Sequence, residues 1–311
     1  MTNLPSTIES RWFSWRLALF GAYDVLHFQW PENLLRASGS FKRLAKRAAF
    51  AMLLIRLRLG RRPIVVTIHN LAPHETQSRI EEFLLKRIHS AAAAFVALND
   101  TEDLSRWGQT RVVTIPHGDY RQKVSRRSPE SAVERRVLFF GSIRSYKNVP
   151  SLIHAAAGVD GVEVIVAGKP WNSQIGADIK RAAHQYGNVV LRLDELPESE
   201  LFPLIATAET VAVPYTSLYN SGVIFLALTI GVPVLAPSTA STRRLRDEVG
   251  PQWLSLYDGD LTSADVARAL DVARSLRTQR ENPGPRLNER DWRRIGQAYE
   301  QLYWSVVSDQ P

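Results

Sequence analysis

The chain contains no cysteine, so neither a disulfide framework nor a thiolate metal site is open to it. Long apolar runs are missing as well. A stretch such as residues 48–55 reaches only eight residues, well short of the ~18 that a membrane-spanning helix needs. The sequence does not open on a basic start, an apolar core and a small-residue cleavage site, so no secretory signal is expected. No internal repeat, low-complexity tract or nucleic-acid-binding motif stands out, and nucleic acid is not expected as a partner. These absences predict a cytoplasmic protein, at most peripheral on the inner face of the cell membrane.

The 311 residues suggest two domains of roughly 150 residues each. A hydrophobic content of 45% and a charged content of 23% are ordinary for a folded chain. The formal net charge of +8 favours anionic partners such as phosphates or acidic lipid.

Short apolar runs alternate with stretches of helical spacing, the pattern of α/β sheets with parallel strands. Strands are predicted over residues 23–28, 64–69, 95–99 and 112–117 in the first half. In the second half they are predicted over 137–141, 162–168, 189–193, 210–214 and 233–236. Many are apolar on both sides, as helices on both faces of a sheet require. A polar, charged break at residues 121–136 carries Ser-Pro and predicts a linker, placed at 123–133. The domains are expected at 1–122 and 134–290. An amphipathic helix follows at 291–311, with Trp292, Ile295, Tyr299, Leu302 and Val306 on one side; by itself it suits a cap on the second domain. The first domain opens on a polar segment and a helix-like stretch at 12–20, without the strand and Gly-rich turn that usually begin such a domain.

Two constellations in the second half suit an anionic ligand. In Phe139–Asn148, FFGSIRSYKN, a strand ends at Gly141, Arg144 and Lys147 follow after Ser142, and a helix begins near Val149. Carboxyl ends of parallel strands are where such sheets take ligands. A glycine lets backbone N–H groups approach an anion, a helix N-terminus adds positive potential, and two cations three residues apart can grip a diphosphate. A solvated basic loop would show the same residues. In Tyr215–Pro237, Ser221 and Gly222 open a helix, offering a hydroxyl and bare amides as a phosphate seat. A buried helix under a strand accounts for the apolar residues that follow, and capping accounts for the serine alone.

With these pieces the chain resembles retaining-type GT-B glycosyltransferases of the large "glycosyl transferases group 1" family, especially bacterial exopolysaccharide transferases including β-mannosyl and related enzymes. Phe140-Gly141…Arg144…Lys147-Asn148, Val166-Ala167-Gly168, Val213-Pro214-Tyr215 and Ala227-Leu228-Thr229-Ile230-Gly231-Val232-Pro233-Val234 occur in family order and spacing over about 100 residues. The resemblance implies an α/β GT-B fold: two Rossmann-like domains with a facing interdomain cleft and a terminal helix that crosses back to the first domain. It implies a hexosyltransferase whose co-substrate is a nucleotide-diphosphate sugar, with no cofactor and no metal, because protein cations neutralise the leaving diphosphate. Gly141, Ser142, Arg144, Lys147, Asn148, Gly168, Lys169, Tyr215, Ser221, Gly222 and Val223 are the expected nucleotide-sugar contacts. GDP-mannose is the donor favoured by resemblance, with UDP-glucuronate and UDP-N-acetylglucosamine open, and a non-catalytic glycan- or partner-binding subunit is the alternative. The acceptor would be a lipid-linked or polysaccharide-precursor glycan. The family's two glutamates, with seven residues between them, fall here on Leu218 and Leu226. Their contacts to donor sugar and ribose are missing, so retention and inversion both stay open.

An inverting transfer needs a general base. Glu32, His69, His74, Glu75 and Asp119 are candidates in the first half; His69 and Asp119 are preferred, with His117 beside them. A strand-end histidine such as His69 is more often structural, but in the family a histidine at this place faces the donor sugar. Trp30, Glu32, Asn70 and His74 suit acceptor binding, since an indole face beside a carboxylate fits a sugar ring. His27, inside a predicted strand, is expected to be buried, and Asp194 and Glu195 to lie in a surface loop. Residues 36–62 carry nine Lys or Arg and no acid. Phe41, Leu44, Ala45, Ala48, Met52, Ile55 and Leu59 share one helical stripe flanked by Lys42, Arg43, Lys46 and Arg47. A basic amphipathic helix predicts contact with an anionic membrane surface; a core helix with a solvated face is the alternative.

Overall fold

The computed structural model describes residues 4–69, 78–101, 111–126, 132–279 and 282–309. The chain divides into two compact units, Met1–Gly118 with Glu289–Pro311, and Asp119–Asn288. Each is built on its own parallel sheet.

In the first unit α1 (Trp15–Phe20) leads to β1 (Leu26–Phe28), α2 (Ser40–Leu59), β2 (Ile64–Ile68), α3 (Arg79–Ala91), β3 (Ala94–Ala97) and β4 (Arg111–Thr114). The strands pair in the order β1-β2-β3-β4, all parallel. β2 and β3 are buried along their whole length, which is why they read as continuous apolar runs rather than alternating ones. A reciprocal pair starts α3: the Glu81 N–H donates to Ser78 Oγ, and the Ser78 N–H donates to Glu81 Oε2. Phe50, Leu53 and Leu57 of α2 and Leu84, Leu85 and Ile88 of α3 are buried. The last helix of the chain, α10 (Trp292–Ser308), also belongs to this unit. Its Ile295, Leu302, Tyr303 and Val306 pack on Val65, Ala94, Val96 and Ile115 of the sheet and the segment after β4.

The second unit runs β5 (Arg136–Phe140), α4 (Val149–Ala157), β6 (Glu163–Ala167), α5 (Ser173–His184), β7 (Val189–Arg192), α6 (Glu198–Thr207), β8 (Thr210–Ala212), α7 (Gly222–Ile230), β9 (Val234–Pro237), α8 (Ala240–Val249), β10 (Leu254–Tyr257) and α9 (Ser263–Thr278). Its sheet has the order β10-β9-β8-β5-β6-β7. The chain starts in the middle at β5, steps outward to β7, then returns to β8 on the other side of β5. α7 is apolar all round, with Ile224–Ile230 buried, as expected of a helix enclosed by its unit. It ends on Gly231 at φ +89, the left-handed position where glycine carries no Cβ penalty. The tenth strand, β10, escapes the sequence reading because its four residues are only half alternating and lie between polar turns.

Among the described residues no helix is long and apolar enough to cross a membrane.

Candidate functional site

The reversal of strand order in the second unit leaves the carboxyl ends of β5 and β8 side by side, the place where open α/β sheets take ligands. The loops that follow them are tied together. The Thr216 N–H donates to the Tyr146 carbonyl at 2.8 Å, the Thr216 hydroxyl donates to it at 3.2 Å, and the rings of Tyr146 and Tyr215 meet edge-on at 5.7 Å. Five expected residues gather here. Gly141 sits at φ +101, and a Cβ on it would lie 3.6 Å from both Lys147 Nζ and Val223 Cγ2. Gly168 is required by close approach: a Cβ there would stand 2.1 Å from the Gly141 carbonyl oxygen. That contact lets β5 and β6 run on together, with the Gly141 N–H donating to the Ala167 carbonyl at 2.9 Å. The Lys147 ammonium stands over the Tyr215 ring at 5.1 Å and the Phe139 ring at 5.9 Å.

The electrostatics of this corner are unbalanced. Lys147 is 8% exposed and has no carboxylate partner among the described residues. Burial first, and the charge of Arg144 second, hold its pKa down to about 8. The Tyr215 hydroxyl is buried without a well-formed hydrogen bond. Burial raises its pKa, while the nearby Ser221 hydroxyl pulls the other way. Ser221 is buried at the N-cap of α7 but makes no capping bond. The N–H groups of Gly222 and Val223 find no acceptor among the described residues, so the first turn of α7 presents open amides and the positive end of its dipole. A buried ammonium, open amides and a glycine without a side chain form a seat for an anion.

The remaining expected residues stand around this seat in different ways. The Arg144 guanidinium lies 4.0 Å over the ring of Trp171, a partner the sequence reading missed although Trp171 closely follows Gly168. Asn148 adopts the left-handed conformation at φ 47 and begins α4 without a side-chain cap. Ser142 and Lys169 are exposed. Leu218 and Leu226 are buried in the core of the unit, where a carboxylate would be costly. Asp194 and Glu195 are exposed.

In the first unit, residues following β1, β2 and β4 come together. His69, one residue past β2, stacks on Trp30 with centroids 4.2 Å apart and planes 14° apart. His69 Nε2 is 2.8 Å from Gln29 Oε1. Burial first, then the charge of His117, lowers the His69 pKa to about 4, so the ring is neutral at physiological pH. His117 Nδ1 donates to the Gly118 carbonyl at 2.6 Å, and Arg290 Nη1 donates to the His117 carbonyl at 3.1 Å. Burial lowers the His117 pKa, opposed by the Gly118 bond. Glu32 lies half-buried in the turn Pro31–Leu34. Half-buried His27 is bonded through both ring nitrogens, to Tyr303 and Thr67. Asn70, His74 and Glu75 lie outside the described residues.

Asp119, the other preferred candidate base, sits in a different setting. It groups with the second unit and is buried, and its carboxylate accepts from the Arg121 N–H at 3.1 Å and from Arg121 Nε at 2.5 Å. The short D-Y-R spacing makes that local turn possible. The cations of the basic helix divide between two roles. Lys46 donates to the Arg36 carbonyl and Arg47 to Glu81, so these two cations hold α2 to its own unit. The stripe itself is outward, from Met52 at 53% to Phe41 at 84% exposed, with Leu44, Ile55 and Leu59 between. Exposed Lys42, Arg43 and Arg58 accompany it.

No protein-family model matches the chain. Its curated relatives include a GDP-mannose:glycolipid 4-beta-D-mannosyltransferase from Xanthomonas campestris pv. campestris, 36% identical over 306 residues that cover 98% of this chain and 86% of the relative. A second protein of the same description and organism has the same identity and coverage. Among solved structures, sucrose-phosphate synthase from Thermosynechococcus elongatus matches with a TM-score of 0.65 at 17% identity, over 95% of this chain and 76% of that one. Anabaena HepE in complex with UDP and glucose matches with a TM-score of 0.63 at 18% identity, over 91% and 78%. These likenesses give the GT-B fold. With more than a third of its residues shared along nearly its whole length, the chain belongs to the glycosyltransferase family of the GDP-mannose:glycolipid 4-beta-D-mannosyltransferases.

Proposed function

We propose that the chain transfers mannose from GDP-mannose to a hydroxyl of a glycolipid, inverting the anomeric centre. The observation that carries this reading is Lys147: a buried ammonium without an anion, over Gly141 and beside the open amides of α7. The second unit takes the donor. Lys147, the Gly222 and Val223 amides and Ser221 receive the diphosphate, with Arg144 and Asn148 at its edge. These groups are fixed before the reaction and aimed where charge develops on the leaving group, so they favour the transition state without a metal.

The first unit takes the acceptor. GDP-mannose carries its sugar in α linkage, so a β-linked product requires inversion and one base. In the step, the acceptor oxygen forms a bond to mannose C1 and gives its proton to His69, while the bond from C1 to the phosphate oxygen breaks and GDP leaves. Trp30, stacked on His69, offers an aromatic face for the acceptor sugar, with Glu32 for its hydroxyls. The outward stripe of α2 and its exposed cations dock the unit on the cytoplasmic face of an anionic bilayer, where a glycolipid acceptor resides. The stripe runs from residue 41 to 59, about 27 Å at 1.5 Å per residue.

A thermal-shift series with GDP, UDP, GDP-mannose and UDP-sugars tests the donor, since a ligand of the native state raises its melting temperature by mass action. GDP and GDP-mannose are expected to shift the wild type and to lose most of that shift in Lys147→Met. Incorporation of labelled mannose into extracted glycolipid tests the transfer. A shift by UDP alone, or none by any nucleotide, overturns the reading.

A further inference from the structure

Parallel pairing of β1 with β2 sets His27 and Gln29 of one strand and its extension beside Thr67 and His69 of the other. Both pairs are two residues apart, so each pair shares a face of its strand. The ring of His27 meets Tyr299 and Tyr303 of α10. The polar atoms of this row form one chain. Tyr303 Oη lies 2.7 Å from His27 Nδ1; His27 Nε2 lies 2.8 Å from Thr67 Oγ1 and 3.3 Å from Gln29 Nε2; Gln29 Oε1 lies 2.8 Å from His69 Nε2.

Donor and acceptor chemistry give this chain a direction. An amide oxygen only accepts, so His69 Nε2 must carry the proton it shares with Gln29 Oε1. An amide nitrogen only donates, so His27 Nε2 is the acceptor, its single lone pair shared between the Thr67 hydroxyl at 2.8 Å and the longer Gln29 contact at 3.3 Å. The proton of His27 is then on Nδ1, donated to the Tyr303 oxygen. Each contact of the row then joins a donor to an acceptor. His69 Nδ1 keeps its lone pair and has no partner among the described residues.

We propose that Gln29, oriented by His27 and Thr67, is a positioning residue that locks His69 as the Nε2–H tautomer and so makes Nδ1 the atom that takes the acceptor's proton. This rests on the reading of His69 as the base. Burial keeps both rings neutral, with His27 lowered to about 3 and His69 to about 4. The row therefore transmits orientation rather than charge. Without Gln29 a neutral His69 has two tautomers open to it, and the one with a proton on Nδ1 cannot accept another there.

The test combines a direct view of the tautomer with kinetics. In the full-length enzyme labelled with 15N-histidine, His69 should show a protonated Nε2 and an unprotonated Nδ1 at pH 7. Gln29→Leu should populate the other tautomer, lower kcat by roughly 100-fold, and leave KM for GDP-mannose unchanged. Gln29→Glu keeps an acceptor for Nε2–H. It should recover most of kcat and move the acid limb of the pH profile upward by about one to two units, because a carboxylate beside the ring favours imidazolium. A proton on Nδ1 in the wild type overturns the assignment. So do equal losses in the Leu and Glu variants that track melting temperature with an unmoved acid limb. If the tautomer is as stated but His69→Ala retains full activity, the base reading fails instead, and the positioning role with it.

Discussion

Binding of GDP at pH 8 should draw about half a proton onto the protein, and replacing Lys147 with methionine should abolish that uptake. With its pKa held down to about 8, the side chain is about half neutral at pH 8 and about one-tenth neutral at pH 7. A diphosphate over Gly141 supplies the opposite charge that the site lacks, which returns the ammonium to its usual range. The missing fraction of a proton must then come from solvent. Isothermal titration calorimetry in two buffers of different ionisation enthalpy counts it, and the Lys147→Met protein corrects for ionisation of the phosphate itself. The difference between the two proteins should be about 0.5 proton at pH 8 and about 0.1 at pH 7. The same group leaves a mark on stability. The folded pKa lies below the unfolded one, so between pH 8 and pH 10.5 the unfolded chain binds more protons. Stability therefore rises with pH across that window, and the penalty for the charged form is fully present below it. A fall from 10.5 to about 8 corresponds to about 3 kcal/mol. Lys147→Met should gain up to that amount in urea denaturation at pH 7 while binding GDP more weakly. Equal proton uptake by the two proteins, or a methionine variant that is less stable yet binds GDP normally, refutes the reasoning.

Gly168→Ala places a methyl 2.1 Å from the Gly141 carbonyl oxygen at φ +147, and should cost about 3 kcal/mol in chemical denaturation together with the GDP-induced thermal shift. His69→Ala should lower kcat by about 10²–10⁴-fold without weakening GDP binding. In the wild type the acid limb of kcat/KM should fall near pH 4, since the neutral base is lost only as pH drops through about 4. Asp119→Asn weakens the bond to Arg121 and should cost about 1–3 kcal/mol of stability, with kcat/KM of the folded enzyme unchanged. Leu44→Glu combined with Ile55→Glu should abolish co-sedimentation with anionic vesicles and leave the melting temperature unmoved, because both side chains face solvent. Retained co-sedimentation would remove α2 from the docking surface.

What the sequence made legible follows the range of the forces involved. Strands buried on both faces announce themselves as apolar runs, and β2, β5 and β6 lie within a residue of where those runs predict them. The turn after β5 was legible for the same reason: Gly141 and Lys147 are close in the chain, and the helix start at Ser221-Gly222 is a local signal. Gln29 left no such trace. Its role arises only when parallel register sets β1 beside β2, a contact between residues 40 apart. Trp171 meets Arg144 through the continuation of two neighbouring strands beyond their ends. On α2 the stripe was visible, but two apolar faces coexist on one helix. Periodicity alone does not say that Phe50, Leu53 and Leu57 go inward while Phe41, Leu44 and Leu59 stay out.

The two units keep different groups in reserve, and the difference follows the chemistry each would perform. In the second, a buried ammonium without a carboxylate, a phenol without a well-formed hydrogen bond and a helix start without acceptors, each among the described residues, lie at one strand junction. Each is a local cost that the apolar core around it offsets, and a single diphosphate would satisfy them together. In the first, the polar row is closed from Tyr303 through His27 and Gln29 to one nitrogen of His69, and what it leaves open is neutral. A site that must receive and release a dianionic leaving group benefits from unbalanced positive charge. A site that must accept one proton from a neutral hydroxyl benefits from a neutral ring held still. Exchanging the two environments would serve neither step: an imidazole beside Lys147 would have its basicity lowered further by like charge, and a lysine, protonated by preference at neutral pH, is a poor acceptor for a hydroxyl's proton.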